Sequence, residues 1–215
     1  MSLTLYFHPL SSFCHKALIA LYDNDTPFTP HIVDLMDPKA NADFKAIWPI
    51  GKFPVLRDDA KGLTIPETSV IIEYLAQHYP GKMRLIPADA DAARKMRGYD
   101  RIFDLYVNVP MQKAVTDRLR PAGQNDSYGV DQAKALLDTA CGVVEKEIAG
   151  KTWIMGDEFT MADCAAAPAL FYANMVTPLA GKYKNTAGYL DRLMQRPSYA
   201  RAFNEAQPYF KMIPK

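Results

Sequence analysis

The feature that most constrains this chain is the junction Ser11-Ser12-Phe13-Cys14-His15-Lys16-Ala17-Leu18. It follows a short apolar run, Leu3-Thr4-Leu5-Tyr6-Phe7, that reads as a strand. It opens an apolar-periodic run, Ala17 to Tyr22, that reads as a helix. Small hydroxyl and thiol side chains therefore stand where a strand hands over to a helix. The first N–H groups of a helix have no intrahelical partner, and the dipole end there is positive. Such a place stabilises an anion, and a thiolate is one such anion. Ser11 occupies the place of the first cysteine in a C-x-x-C turn that ends at Cys14. Such a turn cannot close an internal disulfide, but it can hold the sulfur of another molecule.

The first 80 or so residues alternate between strand and helix patterns. Strand 3–7 precedes helix 12–23, and strand 28–33 precedes a helix near 40–48. Strands 53–57 and 62–65 follow, then helix 67–78. The turn Asp58, Asp59, Lys61 and Gly62 predicts a hairpin between the last two strands. This is the order of a thioredoxin-like α/β domain, placed over residues 1–80. Tyr79-Pro80-Gly81 punctuates its end, and 81–88 reads as a linker. From 89 to 215 no strand is evident. Helical periodicity covers about 89–120, 128–149, 160–180, 186–195 and 198–206, an all-helical domain. Pro110 is expected to kink the first of these helices.

Composition removes several classes of function. With 25 basic and 24 acidic residues the formal net charge is +1, without a long charge block. A nucleic-acid footprint and a polybasic membrane patch are not expected. No run approaches the roughly 18 apolar residues of a membrane span. A secretory signal is not evident at the N-terminus. The three cysteines, Cys14, Cys141 and Cys164, are odd in number and dispersed, which suits a reducing cytoplasm. His8, His15, His31 and His78 show no metal-type spacing, so no metal is expected.

Several further residues carry possible chemistry. Ser11 and Ser12 compete for two roles, helix cap and thiolate partner. Cys14 reads first as a small buried hydrophobe, with a redox role open. Lys52-Phe53-Pro54-Val55 sets a proline at the entry of a strand, which suggests a cis Phe53–Pro54 peptide. Its use would be to aim the N–H and C=O of Val55 at an extended peptide. Glu67 and Thr68, after Pro66, look like a helix start by themselves, but they also suit an ammonium and a carboxylate. Lys39 and Lys52 are isolated cations on this side. Together these segments describe one ligand, a thiol flanked by two carboxylates and an amine, which is the description of glutathione. In the helical part, Thr160 and Asp163 form a capping box with Phe159 before it. Phe103, Tyr106, Val107, Met111, Phe171, Tyr172 and Met175 form apolar clusters on two helices. Of these, Phe103, Tyr106, Val107, Met111 and Tyr172 are the candidates for an apolar substrate pocket.

The chain resembles the cytosolic glutathione transferases across essentially its whole length. The resemblance rests on the serine turn Ser11-Ser12-Phe13-Cys14, the Lys52-Phe53-Pro54-Val55 turn and the Glu67-Thr68 pair. The linker Leu85-Ile86-Pro87-Ala88-Asp89 and the Thr160/Asp163 box extend it. The turn is closest to serine-type classes such as zeta and tau, in a bacterial-like member. The resemblance implies that Ser11 stabilises the glutathione thiolate, with Ser12 as the other choice. It implies that Val55 pairs with the cysteinyl unit, with Phe53 and Pro54 of the same turn also among the glutathione-binding residues, that Glu67 and Thr68 bind the γ-glutamyl end, and that Lys39 and Lys52 are candidates for the glycyl carboxylate. It further implies attack on a small apolar electrophile, as in detoxification, and a homodimer. Thr68 departs from the serine common at its position but keeps the hydroxyl. A glutathione-dependent isomerase, peroxidase or reductase, or a noncatalytic binding module, is the alternative, since fold does not fix function.

Overall fold

The structure, a computed structural model, describes residues 2–214. Alternation makes β1 (Leu3–Phe7), with Leu3, Leu5 and Phe7 buried on one face. It sits inside a four-stranded sheet of order β2-β1-β3-β4. β2 (Thr29–Ile32) is the exposed edge and runs parallel to β1. β3 (Val55–Asp58) and β4 (Leu63–Pro66) run antiparallel beside it. The expected hairpin turn contains Gly62 at φ +63°, a conformation glycine adopts without steric cost. β3 begins later than the expected residue 53, because Pro54 has no N–H to give a ladder.

Helices α1 (Ser12–Asp23) and α3 (Thr68–His78) cover the face of Leu3, Leu5 and Phe7. On the other face α2 (Pro38–Ile47) buries Phe44 with Val33 and Val55 against Tyr6. This is the expected thioredoxin-like domain. A helical domain follows: α4 (Ala90–Arg101), α5 (Val109–Thr116), α6 (Ser127–Ile148), α7 (Met161–Val176), α8 (Lys184–Gln195) and α9 (Pro197–Ala206). Between the two, residues 79–89 carry neither helix nor strand, and the Leu85 carbonyl accepts the Met161 N–H at 2.8 Å.

The long helix expected over 89–120 is divided. A π-helical segment, Ile102–Asn108, separates α4 from α5, and the Val109 N–H reaches back to the Asp104 carbonyl. Pro110 offers no N–H to the preceding turn, so the irregularity falls ahead of it as a widened turn. Leu119 closes a 3-10 turn after α5, and a second one, Gln207–Met212, follows α9. α1 packs on the sheet on one side and on α7 and α9 on the other. That double burial explains why His15 and Lys16 are almost fully enclosed on a helix of the first domain.

Candidate active site

The β1–α1 junction is held by backbone. The Ser11 N–H donates to the His8 carbonyl at 3.0 Å, and the His15 N–H donates to the Ser11 carbonyl at 3.0 Å. Ser11 is the N-cap of α1, and its Oγ accepts the Cys14 N–H at 3.3 Å. A hydroxyl that accepts through a lone pair still has its own hydrogen to donate. Ser12, one residue into the helix, is buried, although it too reaches the cavity described below. Cys14 is fully buried, and that burial pushes its thiol up to about 12. It stays a neutral, close-packed side chain, so the hydrophobe reading holds and a thiolate role does not fit. The Tyr172 hydroxyl donates to the Leu10 carbonyl at 2.8 Å, which fixes the turn against α7.

A cavity of about 490 Å³ opens where this turn meets the helical domain. His8, Ser11, Ser12 and Phe53 line the side of the first domain. Met111, Val115 and Leu119 face them from α5 and the turn after it, and Tyr172 from α7. Met212 and Ile213 close the C-terminal side, and Leu35 and Met36 the rim. Most of this wall is apolar.

Two of the expected pocket residues, Met111 and Tyr172, do line it. Phe103, Val107 and Tyr106 do not. Phe103 and Val107 are fully buried in the shared core. They share one helical face with Met111 at spacings of four, and the far end of that face alone emerges into the cavity. Tyr106 points to solvent and is about half exposed. Phe171 belongs to an aromatic cluster with Phe203 and Phe210. Val115 and Leu119 were legible in the sequence as the continuation of Met111 at i+4 and i+8. Met212 and Ile213 had no such signal, because a terminal segment declares its docking site only in three dimensions.

The peptide at Phe53–Pro54 is cis, as expected. Val55, however, does not aim its backbone outward. It stands opposite Pro66 on one side and Tyr6 on the other. Pro66 has no N–H, so Val55 and Pro66 cannot form a hydrogen-bonded pair. Alternation in an antiparallel ladder then turns the Val55 N–H and C=O toward Tyr6. Phe53, expected beside Val55 at the site, lies ahead of the ladder and is the residue of this turn that lines the cavity.

Glu67 sits at φ +65°, ψ 117°, and its side chain makes no cap bond to α3. The plain capping reading therefore does not hold for it. Thr68 is buried, and its hydroxyl donates to the Phe13 carbonyl at 3.2 Å, joining the start of α3 to the first turn of α1. Neither residue lines the cavity; they stand beside the serine turn on the other side of Phe13. Below them is a group of charges the sequence did not suggest. Lys16, about 1% exposed, lies 2.6 Å from Asp100 and 2.8 Å from Asp104. It also donates to the Ser69 hydroxyl at 2.9 Å, and Ser69 donates to Asp100 at 2.8 Å. Arg101 joins Asp100, Asp104 and Ser69 from the surface. This network fixes α1, α3 and α4 together beneath Glu67 and Thr68.

Lys39 is exposed and paired with Asp43 at 2.5 Å. Lys52 is exposed beside Phe53 and takes part in no ion pair among the described residues. No cluster of three or more His, Cys, Asp or Glu side chains that could hold a metal occurs among them. Among the described residues no helix is long and apolar enough to cross a membrane.

Two family models match the chain in sequence. Residues 5–83 match the glutathione S-transferase N-terminal domain, and residues 100–197 match the C-terminal domain. The chain belongs to the glutathione S-transferase family. It is 37% identical over 150 residues to the glutathione S-transferase-like protein LUC7 of a Fusarium species, which covers 70% of this chain and 65% of that protein. It is 26% identical over 197 residues to the glutathione S-transferase GstB of Escherichia coli, covering 91% of this chain and 95% of that one. A glutathione S-transferase from Methylobacillus flagellatus, solved with glutathione bound, superposes with a TM-score of 0.85 at 25% identity, over 94% of this chain and 98% of that one.

Proposed function

We propose that this protein is a serine-type glutathione transferase, with Ser11 as the residue that stabilises the glutathione thiolate. One observation carries the reading: the Ser11 hydroxyl accepts from the helix, keeps its hydrogen, and opens on an apolar cavity. Serine is no base for a thiol. Its part is to donate O–H···S⁻, with the start of α1 adding its positive dipole end. Phe53, outside the ladder, offers its peptide to the cysteinyl unit, with Pro54 behind it. Glu67 meets the γ-glutamyl ammonium, while the N–H groups at the start of α3 meet its carboxylate; the Thr68 hydroxyl, whose hydrogen goes to the Phe13 carbonyl, holds the start of α3 in place for them. Lys52, free of an ion pair among the described residues, suits the glycyl carboxylate better than Lys39 does.

Magnitudes divide the work between the domains. If the thiol pKa falls from ~8.5 to ~6.5, the thiolate fraction at neutral pH rises ~25-fold. Intrinsic nucleophilicity falls roughly tenfold over the same shift at a Brønsted slope of ~0.4–0.5. The net gain is a few-fold, so the larger contribution is the positioning of the electrophile by the cavity wall of α5, α7 and the C-terminal segment. We place the enzyme in the cytoplasm, where its three free buried cysteines suit a reducing medium. We further propose a homodimer joined along α3 and α4.

Calorimetric titration with glutathione tests the binding half. Glu67→Ala is expected to weaken binding about 10-fold or more, as a charge-assisted hydrogen bond implies. Wild-type affinity in that variant contradicts the γ-glutamyl assignment. Binding without turnover on any apolar electrophile makes the protein a binding module instead.

A further inference from the structure

The proposed function leaves the polar side chains His8, Asp34, Gln112 and Thr116 of the cavity unused, and of these His8 is the one whose ring is clamped beside the serine turn. It ends β1's approach to the serine turn, three residues before Ser11, and lines the same cavity. Its Nδ1 accepts the Leu10 N–H at 3.2 Å. A ring nitrogen that accepts is not protonated, so this bond assigns the neutral tautomer with hydrogen on Nε2. Partial burial lowers the His8 pKa and keeps the ring neutral, against the opposing pull of Asp34. The ring is clamped, stacked on Phe53 at 5.9 Å and 21°, with Tyr209 edge-on at 5.7 Å. Nε2–H has no protein partner among the described residues and is the one polar group the ring has left to offer the cavity. With Nδ1 already accepting, the ring offers no basic lone pair and can act only as a donor.

We propose that His8 is a catalytic hydrogen-bond donor to the carbonyl oxygen of an α,β-unsaturated carbonyl electrophile, which makes conjugate addition of glutathione the reaction this cavity favours. The inference rests on the glutathione transferase reading above. A neutral donor suits this step in two ways. It does not form an ion pair with the thiolate that Ser11 holds. It gains strength as charge develops on oxygen, since a donor aimed at a growing anion in an apolar site acts mainly in the transition state. The sulfur lone pair forms the C–S bond at the β-carbon. The C=C pair moves toward the carbonyl and leaves an enolate whose oxygen accepts Nε2–H. The enolate α-carbon then takes one proton from water, replacing the proton the thiol released on ionisation. Nothing leaves and no oxidant is needed. The apolar wall of Met111, Val115 and Leu119 suits the hydrocarbon part of such a molecule.

The test compares two substrates of similar bulk, 4-phenyl-3-buten-2-one, which has the acceptor oxygen, and benzyl chloride, which does not. His8→Phe keeps an aromatic ring between Phe53 and Tyr209 and removes the donor. A hydrogen bond to a developing anion of this kind corresponds to about 10- to 100-fold in rate. The ratio of kcat/KM for the enone to that for benzyl chloride is therefore expected to fall by that factor in His8→Phe. His8→Gln, which restores a side-chain N–H, is expected to recover part of it. An unchanged ratio, with both rates lowered together or neither lowered, overturns the role of His8. Wild-type turnover of benzyl chloride with none of the enone overturns it as well and leaves the transferase reading standing. Turnover of neither, together with absent glutathione binding, removes both.

Discussion

At the scale of single residues, burial decides which groups near the serine turn can ionise. His15, fully buried on α1, bonds through Nε2 to the Pro9 carbonyl at 2.5 Å and is pushed down to about 4 by that burial. The sign follows from linkage. Below about 6.5 the unfolded chain takes up a proton that the folded one refuses, so stability falls as pH drops toward 4 and levels off below it. The shift corresponds to roughly 3 kcal/mol. Urea unfolding at pH 7 and pH 4 should show a loss of that order from this residue, and His15→Gln should flatten the difference between the two. An identical pH dependence in both proteins contradicts the assignment. His15 also shows where the sequence stops speaking. Ser11, Pro54 and Thr68 speak in the sequence only together, because a cap, a proline before a strand and a hydroxyl at a helix start each have a local explanation when taken alone. The inward turn of the Val55 backbone is not legible in the sequence, because its ladder partner Tyr6 is 49 positions away in the chain.

At the scale of elements, the strands and helices of the first domain follow their apolar periods closely, and the departures have local causes. β3 starts late because of Pro54, and the long helix breaks into α4, a π turn and α5 ahead of Pro110. Thr160 and Asp163 were readable as a capping box, and Asp163 does accept the Thr160 N–H at 2.8 Å. The Ile154 N–H and the Tyr189 hydroxyl on its other oxygen were not readable, since they arrive from separate segments. The same holds for Lys16, whose partners on α4 and the π turn lie far along the sequence. Lys16→Met is expected to cost roughly 3–5 kcal/mol, because it leaves Asp100 and Asp104 buried beside each other without their cation. Thermal or urea unfolding measures this directly. A loss below 1 kcal/mol contradicts the view that this network holds α1, α3 and α4 together.

At the scale of the molecule, one apolar core runs through both domains, and the cavity forms on their shared boundary. The sequence carries the order of the two domains and the serine side of the site. The helical side is only partly visible there. Phe103, Val107 and Met111 have the same pattern, and only packing against α7 decides that Met111 alone reaches the cavity. The outer surface of α3, the π turn and the start of α5 leaves Val70, Leu105 and Val109 exposed near the Glu73–Arg97 pair. In the proposed homodimer these side chains would be buried against the second copy. Sedimentation at micromolar concentration is expected to show a species near twice 24.1 kDa, and Val70→Glu with Leu105→Glu to shift it toward the monomer. A wild-type monomer at that concentration contradicts the proposed dimer.

The central claim is that Ser11 holds a thiolate at the mouth of the cavity, and a thiolate absorbance titration of bound glutathione addresses it most directly. Ser11→Ala should raise the pKa of the bound thiol by about 1–2 units, as loss of one hydrogen bond to a charged group implies. Turnover near neutral pH should fall roughly 10- to 100-fold, and the defect should shrink at high pH, where the thiol ionises unaided. Ser12→Ala should titrate nearly as wild type. A shift in Ser12→Ala with none in Ser11→Ala assigns the wrong serine, and a shift in neither contradicts the account.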